Sequence, residues 1–281
     1  MPFSAATSLI AVDVGNSRIK LGRFELLTGL SLPEPVEVFD LPLADNRSGS
    51  FDAARLEAWC QEHVANGMAW RVASVHRPAA ERLTSMVADW AARSHIDCPL
   101  QCLTYADVPL AIRVAEPPRV GIDRLLGALA ADRLRWPDRP AVIIDLGTAI
   151  TVDLLEADGS FSGGAILPGI AMAARALAEQ TDALPDIGLD RLETPPVAVG
   201  KSTTSAIESG LYWGAVGAIR ELLSQMSSGL AMPPDVFLTG GASSQVAERL
   251  TTDSDRPVRH VPHLVLSGIA LAAESLGKAG G

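Results

Sequence analysis

Basic side chains are in deficit: 23 Lys and Arg stand against 33 Asp and Glu, a formal net charge of −10. Binding along a nucleic-acid backbone needs a basic stripe, and the sequence has none, so no nucleic-acid partner is expected. Small anionic ligands are not excluded, because a few placed donors matter more to them than net charge. Three cysteines, Cys60, Cys98 and Cys102, are too few for a disulfide scaffold and fit a reducing compartment. No uninterrupted apolar run reaches the roughly 18 residues of a membrane span, and Met1-Pro2-Phe3-Ser4 lacks the basic start of a signal peptide. The expectation is a cytoplasmic protein without a membrane partner.

Several catalytic signatures are missing as well. There is no nucleophile elbow and no Ser-His-Asp arrangement. Gly200-Lys201-Ser202-Thr203 resembles the end of a P-loop, but Pro195 occupies the position of the required first glycine. The run reads more simply as a helix cap, with Thr203 or Thr204 as the capping hydroxyl. His95, Cys98 and Cys102 lack the fourth ligand and the tight Cys-x-x-Cys pair of a structural zinc site.

What is present is an acidic turn that occurs twice. Asp13-Val14-Gly15-Asn16-Ser17 follows the apolar run Leu9-Ile10-Ala11-Val12, and Asp145-Leu146-Gly147-Thr148-Ala149 follows Ala141-Val142-Ile143-Ile144. Each run has the length and β-branching of a buried strand. Gly15 and Gly147 let the backbone approach an anion, and Asn16, Ser17, Thr148 and Thr151 offer short donors for phosphate oxygens. Asp13 and Asp145 would stand beside those phosphates, where a carboxylate is tolerable only with a cation between them. A second strand follows each turn, Arg18 to Phe24 and Ile150 to Leu155, the latter closed by the hairpin turn Ala157-Asp158-Gly159-Ser160. Two such copies about 130 residues apart predict a duplicated lobe with a cleft between the copies, holding a nucleotide and a metal.

The chain has 281 residues, 48% hydrophobic and 20% charged, enough for two compact lobes. Helical spacing predicts helices over Asp52 to Gly67, Ala79 to Ser94, Gly121 to Arg135, Pro168 to Gln180, Ser205 to Met226 and Leu264 to Leu276. Strands are expected at Arg71 to Val75, Cys102 to Thr104, Ile112 to Val114 and Val236 to Leu238, with strand and loop over Leu30 to Ser50. The alternation is the α/β pattern. Pro117-Pro118 marks the expected lobe boundary, giving an N-terminal lobe over 1–118 and a C-terminal lobe over 119–281.

Gly121-Ile122-Asp123-Arg124 opens the helix after the proline pair. An aspartate there is ordinarily a cap or a partner for the helix dipole. With the Arg124 fork beside it, Asp123 is also suited to accept a hydroxyl proton while Arg124 holds an anionic group. Thr239-Gly240-Gly241 follows a strand, where two glycines let a base or ribose pack on the backbone, as an adenosine turn would. Gly163-Gly164 and Pro168-Gly169 suit either a close approach or a plain loop.

These blocks, Asp13 to Lys20, Gly121 to Arg124, Asp145 to Asp153, Gly163 to Gly169 and Thr239 to Gly241, resemble type III pantothenate kinase in order and in residues. The resemblance implies the actin-like ATPase superfold of acetate and sugar kinases, with two ribonuclease-H-like lobes around a central cleft. It implies ATP-dependent phosphorylation of pantothenate to 4′-phosphopantothenate, the first step of coenzyme A biosynthesis, by a homodimer. By the same resemblance, Asp13, Val14, Gly15, Asn16, Ser17, Arg18, Ile19, Lys20 and Thr148 would bind ATP. Asp123 would take the proton of the pantothenate hydroxyl, and Gly121, Ile122, Asp123, Arg124 and Thr203 would contact that substrate. Asp13 would hold Mg²⁺ or another divalent cation, directly or through water, and Asp145 a K⁺ or NH₄⁺ ion.

Three positions depart from the family pattern: Val114 where an aromatic residue is common, Gly127 where asparagine is common, and Ile122 where alanine is often found. Two other functions therefore stay in view. One is a nucleotide-binding regulator of the same family, like the Bvg accessory factor; the other is a different small-molecule kinase of the superfold.

Overall fold

The computed structural model describes residues 8–25, 32–45, 47–188, 194–251 and 258–279 of the chain. In chain order its elements are β1 (Ser8–Val14), β2 (Arg18–Glu25), β3 (Glu37–Asp45), β4 (Ser50–Phe51), α1 (Ala53–His63), β5 (Ala69–Ser74), α2 (Arg77–Ser94), β6 (Leu100–Cys102) and α3 (Ile122–Leu134). There follow β7 (Ala141–Leu146), β8 (Ala149–Leu155), β9 (Phe161–Pro168), α4 (Ile170–Glu179), α5 (Thr203–Ser227), β10 (Asp235–Thr239), α6 (Ser243–Thr251), β11 (Arg259–His260) and α7 (Leu264–Ala279). Contacts divide the chain into two units. The first comprises Met1–Ala111, Ala115–Leu134 and His263–Gly281, and the second Ile112–Val114 and Arg135–Pro262.

In the first unit the sheet order is β4-β3-β2-β1-β5-β6, and in the second it is β11-β10-β7-β8-β9. Setting β4 aside, the two orders are the same topology. A three-stranded antiparallel meander (β1-β2-β3, β7-β8-β9) is extended on its first strand by two parallel strands (β5-β6, β10-β11). The duplicated lobe expected from the acidic turns is therefore a duplication of whole sheets.

The central strand of each sheet has both faces covered, so its sequence is a continuous apolar run rather than an alternation. Ile10, Val12 and Val14 of β1 pack with Trp70 and Val72 of β5 against Leu56 and Trp59 of α1 and Leu83, Val87 and Trp90 of α2. The alternate residues Leu9 and Ala11 are equally buried, on the side where α7 lies against β1, β2 and β5. In the second unit Val142, Ile144 and Leu146 of β7 pack with Tyr212, Val216 and Ile219 of α5 and Val246 and Leu250 of α6. The Asp52 side chain caps the start of α1 by accepting from Arg55 N at 3.0 Å, and the helix stops at His63, short of the expected Gly67.

The proline pair does not divide the units. α3 packs on α7, and both belong with the first sheet, so the expected boundary after residue 118 misplaces α3 and the closing helix. The reason is a close approach rather than a local signal: a side chain on Gly268 of α7 would run into the backbone of Leu126 on α3. Ile112 to Val114 forms no strand of its own, only a bridge between Ile112 and Phe161. The strand expected at Cys102 to Thr104 lies two residues earlier. β11 and α6 are elements that the sequence reading omitted. Residues 30, 31 and 46 of the segment expected as strand and loop lie outside the described residues.

Because Gly268 lies directly against the Leu126 backbone of α3, Gly268→Val should cost about 1–3 kcal/mol of stability through overpacking. Denaturant unfolding measures it, and a midpoint equal to the parent chain would contradict the packing.

Candidate active site

In the first unit three chain segments end together. β1 delivers Asp13 and the Gly15 turn, and β5, parallel to it, delivers Ser74 and Val75, whose N–H donates to Val14 O at 3.0 Å. α3 brings Gly121: a side-chain carbon there would lie 3.6 Å from Val75 Cγ1. The carboxyl ends of two parallel strands thus meet the N-terminus of the helix that carries Asp123, the usual location of a ligand site in open α/β sheets.

Asp13 is half-buried, opposite Lys20 on β2 and Ala73 on β5 in the strand register. Val14 and Ile19 are fully buried in the core, so only their backbone remains for a ligand. Gly15 N donates to Arg18 O at 3.0 Å and closes the turn, leaving Asn16 exposed and Ser17 half-buried at its tip. Arg18 lies 3.7 Å from Asp40 on β3, an exposed pair of small energetic weight.

Asp123 sits in the first turn of α3, where Oδ1 accepts from Arg124 N at 2.8 Å. A side-chain carbon on Gly121 would stand only 2.5 Å from that oxygen, so glycine there gives the carboxylate its room. Burial raises the Asp123 carboxyl above its ordinary value, against the opposing pull of the Arg124 amide and guanidinium. Such a carboxylate binds a proton more readily than an exposed one, as a general base requires. Ile122 is buried and Arg124 half-buried.

The second unit repeats the strand-end arrangement. Asp145, next to last in β7, stands opposite Thr151 on β8 and Thr239 on β10. Its turn is shorter: Gly147 N donates to Ala149 O at 3.0 Å, so Thr148 alone forms the tip, where the first turn has Asn16 and Ser17. Thr148 O accepts from Gly169 N at 3.1 Å, which ties the start of α4 to this turn. Asp145 is half-buried with Oδ1 enclosed, and a side chain on Gly240 would run into that oxygen and the Leu146 backbone. Gly240 has a φ of +97°, in the region that favours glycine. The Val114 side chain faces Gly163, whose added carbon would lie 3.4 Å from Val114 Cγ1.

Thr203 begins α5, but it is not the cap. Ser202 holds that role, accepting from Ser205 N at 3.2 Å while Ser205 Oγ accepts from Ser202 N at 3.0 Å. The expected capping by Thr203 or Thr204 is therefore corrected: the serine one step earlier finds a reciprocal partner three residues on. Thr203 is exposed and lines a groove of about 950 Å³ with Lys201, Ala206, Gly210 and Leu211.

The donors are hard oxygens. Among the described residues no group of three or more His, Cys, Asp or Glu could hold a metal ion. Mg²⁺ is commonly held by one or two carboxylates together with substrate phosphates, and Asp13 fits that pattern. The enclosed oxygen of Asp145, amid packed backbone, fits an oxygen-coordinated cation in the same way.

A family model described as type III pantothenate kinase matches residues 9–225. The chain belongs to the type III pantothenate kinase family. Among relatives bearing that description, one from Rhodopirellula baltica is 33% identical over 276 residues, covering 92% of this chain and 96% of the relative. Another, from Acidiphilium cryptum, is 35% identical over 212 residues, covering 75% and 74% respectively. Among solved structures, MreB5 of Spiroplasma citri bound to ADP superposes with a TM-score of 0.52 at 10% identity, covering 97% of this chain and 98% of that one. At that identity the likeness shows the fold alone, the actin-like ATPase fold. No helix among the described residues is long and apolar enough to cross a membrane.

Sequence reasoning missed the contribution of β5 to this pantothenate kinase family member. Ser74 and His76 shape the strand's exit: Ser74 Oγ accepts from His76 N at 3.0 Å, and His76 Nδ1 caps α2 by accepting from Ala79 N at 3.2 Å. Pro78 directly after Arg77 was the available sign of a helix start there.

The raised Asp123 carboxyl has a sign that can be tested. Its neutral form is the one favoured by folding, so the carboxyl contributes stability below the unfolded carboxylate value and loses it as pH rises through the raised folded value. Asp123→Asn should therefore melt no lower than the parent at neutral pH, with any advantage disappearing in acid. A lower melting temperature for the variant at neutral pH would contradict burial as the dominant cause.

Proposed function

We propose that the chain transfers the γ-phosphoryl group of ATP to pantothenate, yielding ADP and 4′-phosphopantothenate, the first step of coenzyme A biosynthesis. The family supports the reaction, and one observation supports the placement of its chemistry: the N-terminus of α3, carrying Asp123, abuts the strand ends that carry Asp13. Phosphoryl transfer asks mainly for such positioning together with charge neutralisation.

In this reading Asp123 accepts the proton of the pantothenate hydroxyl as its oxygen bonds to the γ-phosphorus and the bond to the ADP oxygen breaks. Gly121, Ile122 and Arg124 frame the alcohol, with Arg124 as the fork for its carboxylate. Asp13 to Lys20 and Thr148 hold the nucleotide, Val14 and Ile19 through backbone alone. A divalent cation supplies charge neutralisation at the phosphates, and Asp13 is the residue that would hold it. Asp145 would hold the monovalent cation. The reaction belongs in the cytoplasm, in keeping with three free cysteines.

We assign the protein to a homodimer, joined through α5. Ala206, Gly210, Gly214 and Gly217 form an exposed line on that helix, and side chains at the three glycines would meet open space. Glycine in a helix interior costs up to about 1 kcal/mol each, which close approach of a second helix would offset. Val197 and Val199, beside the start of α5, are 71% and 77% exposed. Thr203, in the groove at the same end, would reach pantothenate from this face.

Coupled ADP release with mass detection of the product tests the reaction. Pantothenate-dependent ADP is expected in K⁺ and Mg²⁺, and Asp123→Asn should lower kcat by about 10²-fold or more. ATP binding without product would instead favour the regulator, and ordinary turnover by the variant would remove Asp123 as base. Rates should fall when Na⁺ alone replaces K⁺; equal rates would remove the monovalent-cation role of Asp145. Sedimentation should find a dimer that Gly214→Leu converts to monomer, and a monomeric parent chain would refute the assembly.

A further inference from the structure

The second acidic turn is held by a hydrogen-bonded relay that begins at an exposed edge strand. Gly240 follows β10 and packs directly on Asp145 Oδ1 and Leu146, and Ala242 N donates to Leu146 O at 3.1 Å. The Gly240 carbonyl is fixed from the other side by Ser243, which donates through Oγ at 2.6 Å and through its backbone N at 3.3 Å. Ser243 is 2% exposed. Its hydroxyl has one proton, and that proton goes to the Gly240 carbonyl. The 2.7 Å contact between Ser243 Oγ and His260 Nε2 therefore requires the ring to donate, which both the Nε2–H tautomer and the imidazolium can do.

His260 is itself anchored. It pairs with Leu238 in the β10–β11 register, Val261 N donates to Leu238 O at 2.8 Å, and the Arg259 guanidinium lies 5.0 Å from the centre of the Phe237 ring. In a planar trans peptide the carbonyl and the following N–H point to opposite sides. Holding Gly240 O on Ser243 therefore directs Gly241 N–H away from it, at an exposed glycine with open space around it.

We infer that Ser243 and His260 are positioning residues for nucleotide binding: the relay from His260 through Ser243 to the Gly240 carbonyl sets the Gly240-Gly241 peptide that meets the nucleotide. This rests on the proposed reading of Thr239-Gly240-Gly241 as the adenosine turn. Neither side chain touches the reacting atoms, so the effect belongs to ATP affinity rather than to the chemical step.

Ser243→Ala, His260→Leu and His260→Gln test it, by titration of AMPPNP with Mg²⁺ and by initial rates in both substrates. His260 is exposed, so its variants should fold, and the Gln amide can replace the Nε2–H donor. Ser243→Ala should weaken AMPPNP binding and raise KM for ATP about tenfold, the scale of one lost buried hydrogen bond, with KM for pantothenate unchanged. His260→Leu should shift both in the same direction and His260→Gln should restore them.

Unchanged AMPPNP affinity in Ser243→Ala and His260→Leu would overturn the relay. So would a Gln variant as weak as the Leu variant, or equal losses for both substrates. A parent chain that binds AMPPNP but does not phosphorylate pantothenate would sink the substrate reading alone, and the binding arm would still decide the relay. A parent chain that binds no nucleotide would overturn both.

Discussion

Each unit depends on a central strand buried on both faces. With helices on one side and further protein on the other, β1 and β7 have no room for polar side chains along their length. A polar group can emerge only where the strand runs out, and in both cases that group is an aspartate, Asp13 or Asp145. The parallel neighbour on one side, β5 or β10, runs out at the same level because parallel register aligns the carboxyl ends. Short donors, glycines and helix starts therefore collect at one end of each sheet as a consequence of how the strand is buried.

The two sheets repeat the topology without repeating the chemistry. The residue opposite the aspartate is Lys20 in the first unit and Thr151 in the second. The first turn has two residues at its tip and the second only Thr148. On the parallel neighbour the partner of the aspartate is Ala73 in the first unit and Thr239 in the second, where Gly240, next in the chain, also presses on Asp145. A cationic side chain beside the first carboxylate suits phosphate oxygens, and an enclosed carboxylate amid backbone suits a small cation. One topology thus offers two different anion and cation environments.

Asp123 shows which of two opposing effects dominates. A helix N-terminus and an adjacent arginine both favour a charged carboxylate. Burial disfavours it, and burial prevails. The group is held at a helix end by Arg124 N, yet it is more ready to bind a proton than an exposed aspartate would be. Gly121 is what permits this, because any side chain there would displace the carboxylate that Arg124 holds.

The sequence by itself determined what depends on near neighbours: the apolar runs that become β1 and β7, the acidic turns, the hairpin at Asp158, the periods of the long helices, and the family to which the blocks belong. Buried strands and tight turns leave local signatures, since each residue type there is chosen by its own backbone conformation and burial. Only tertiary structure decided what depends on contacts far apart in the chain. α3 and α7 joined the first unit because Gly268 lets two helices meet, a fact with no trace around Pro117-Pro118. The capping role fell to Ser202 because Ser205 could answer it. β11, two residues long, had no period to detect, and its His260 acquired a role only by reaching Ser243, 17 residues earlier in the chain. Such contacts arise from the path of the whole chain, and the residues that make them look ordinary when read one at a time.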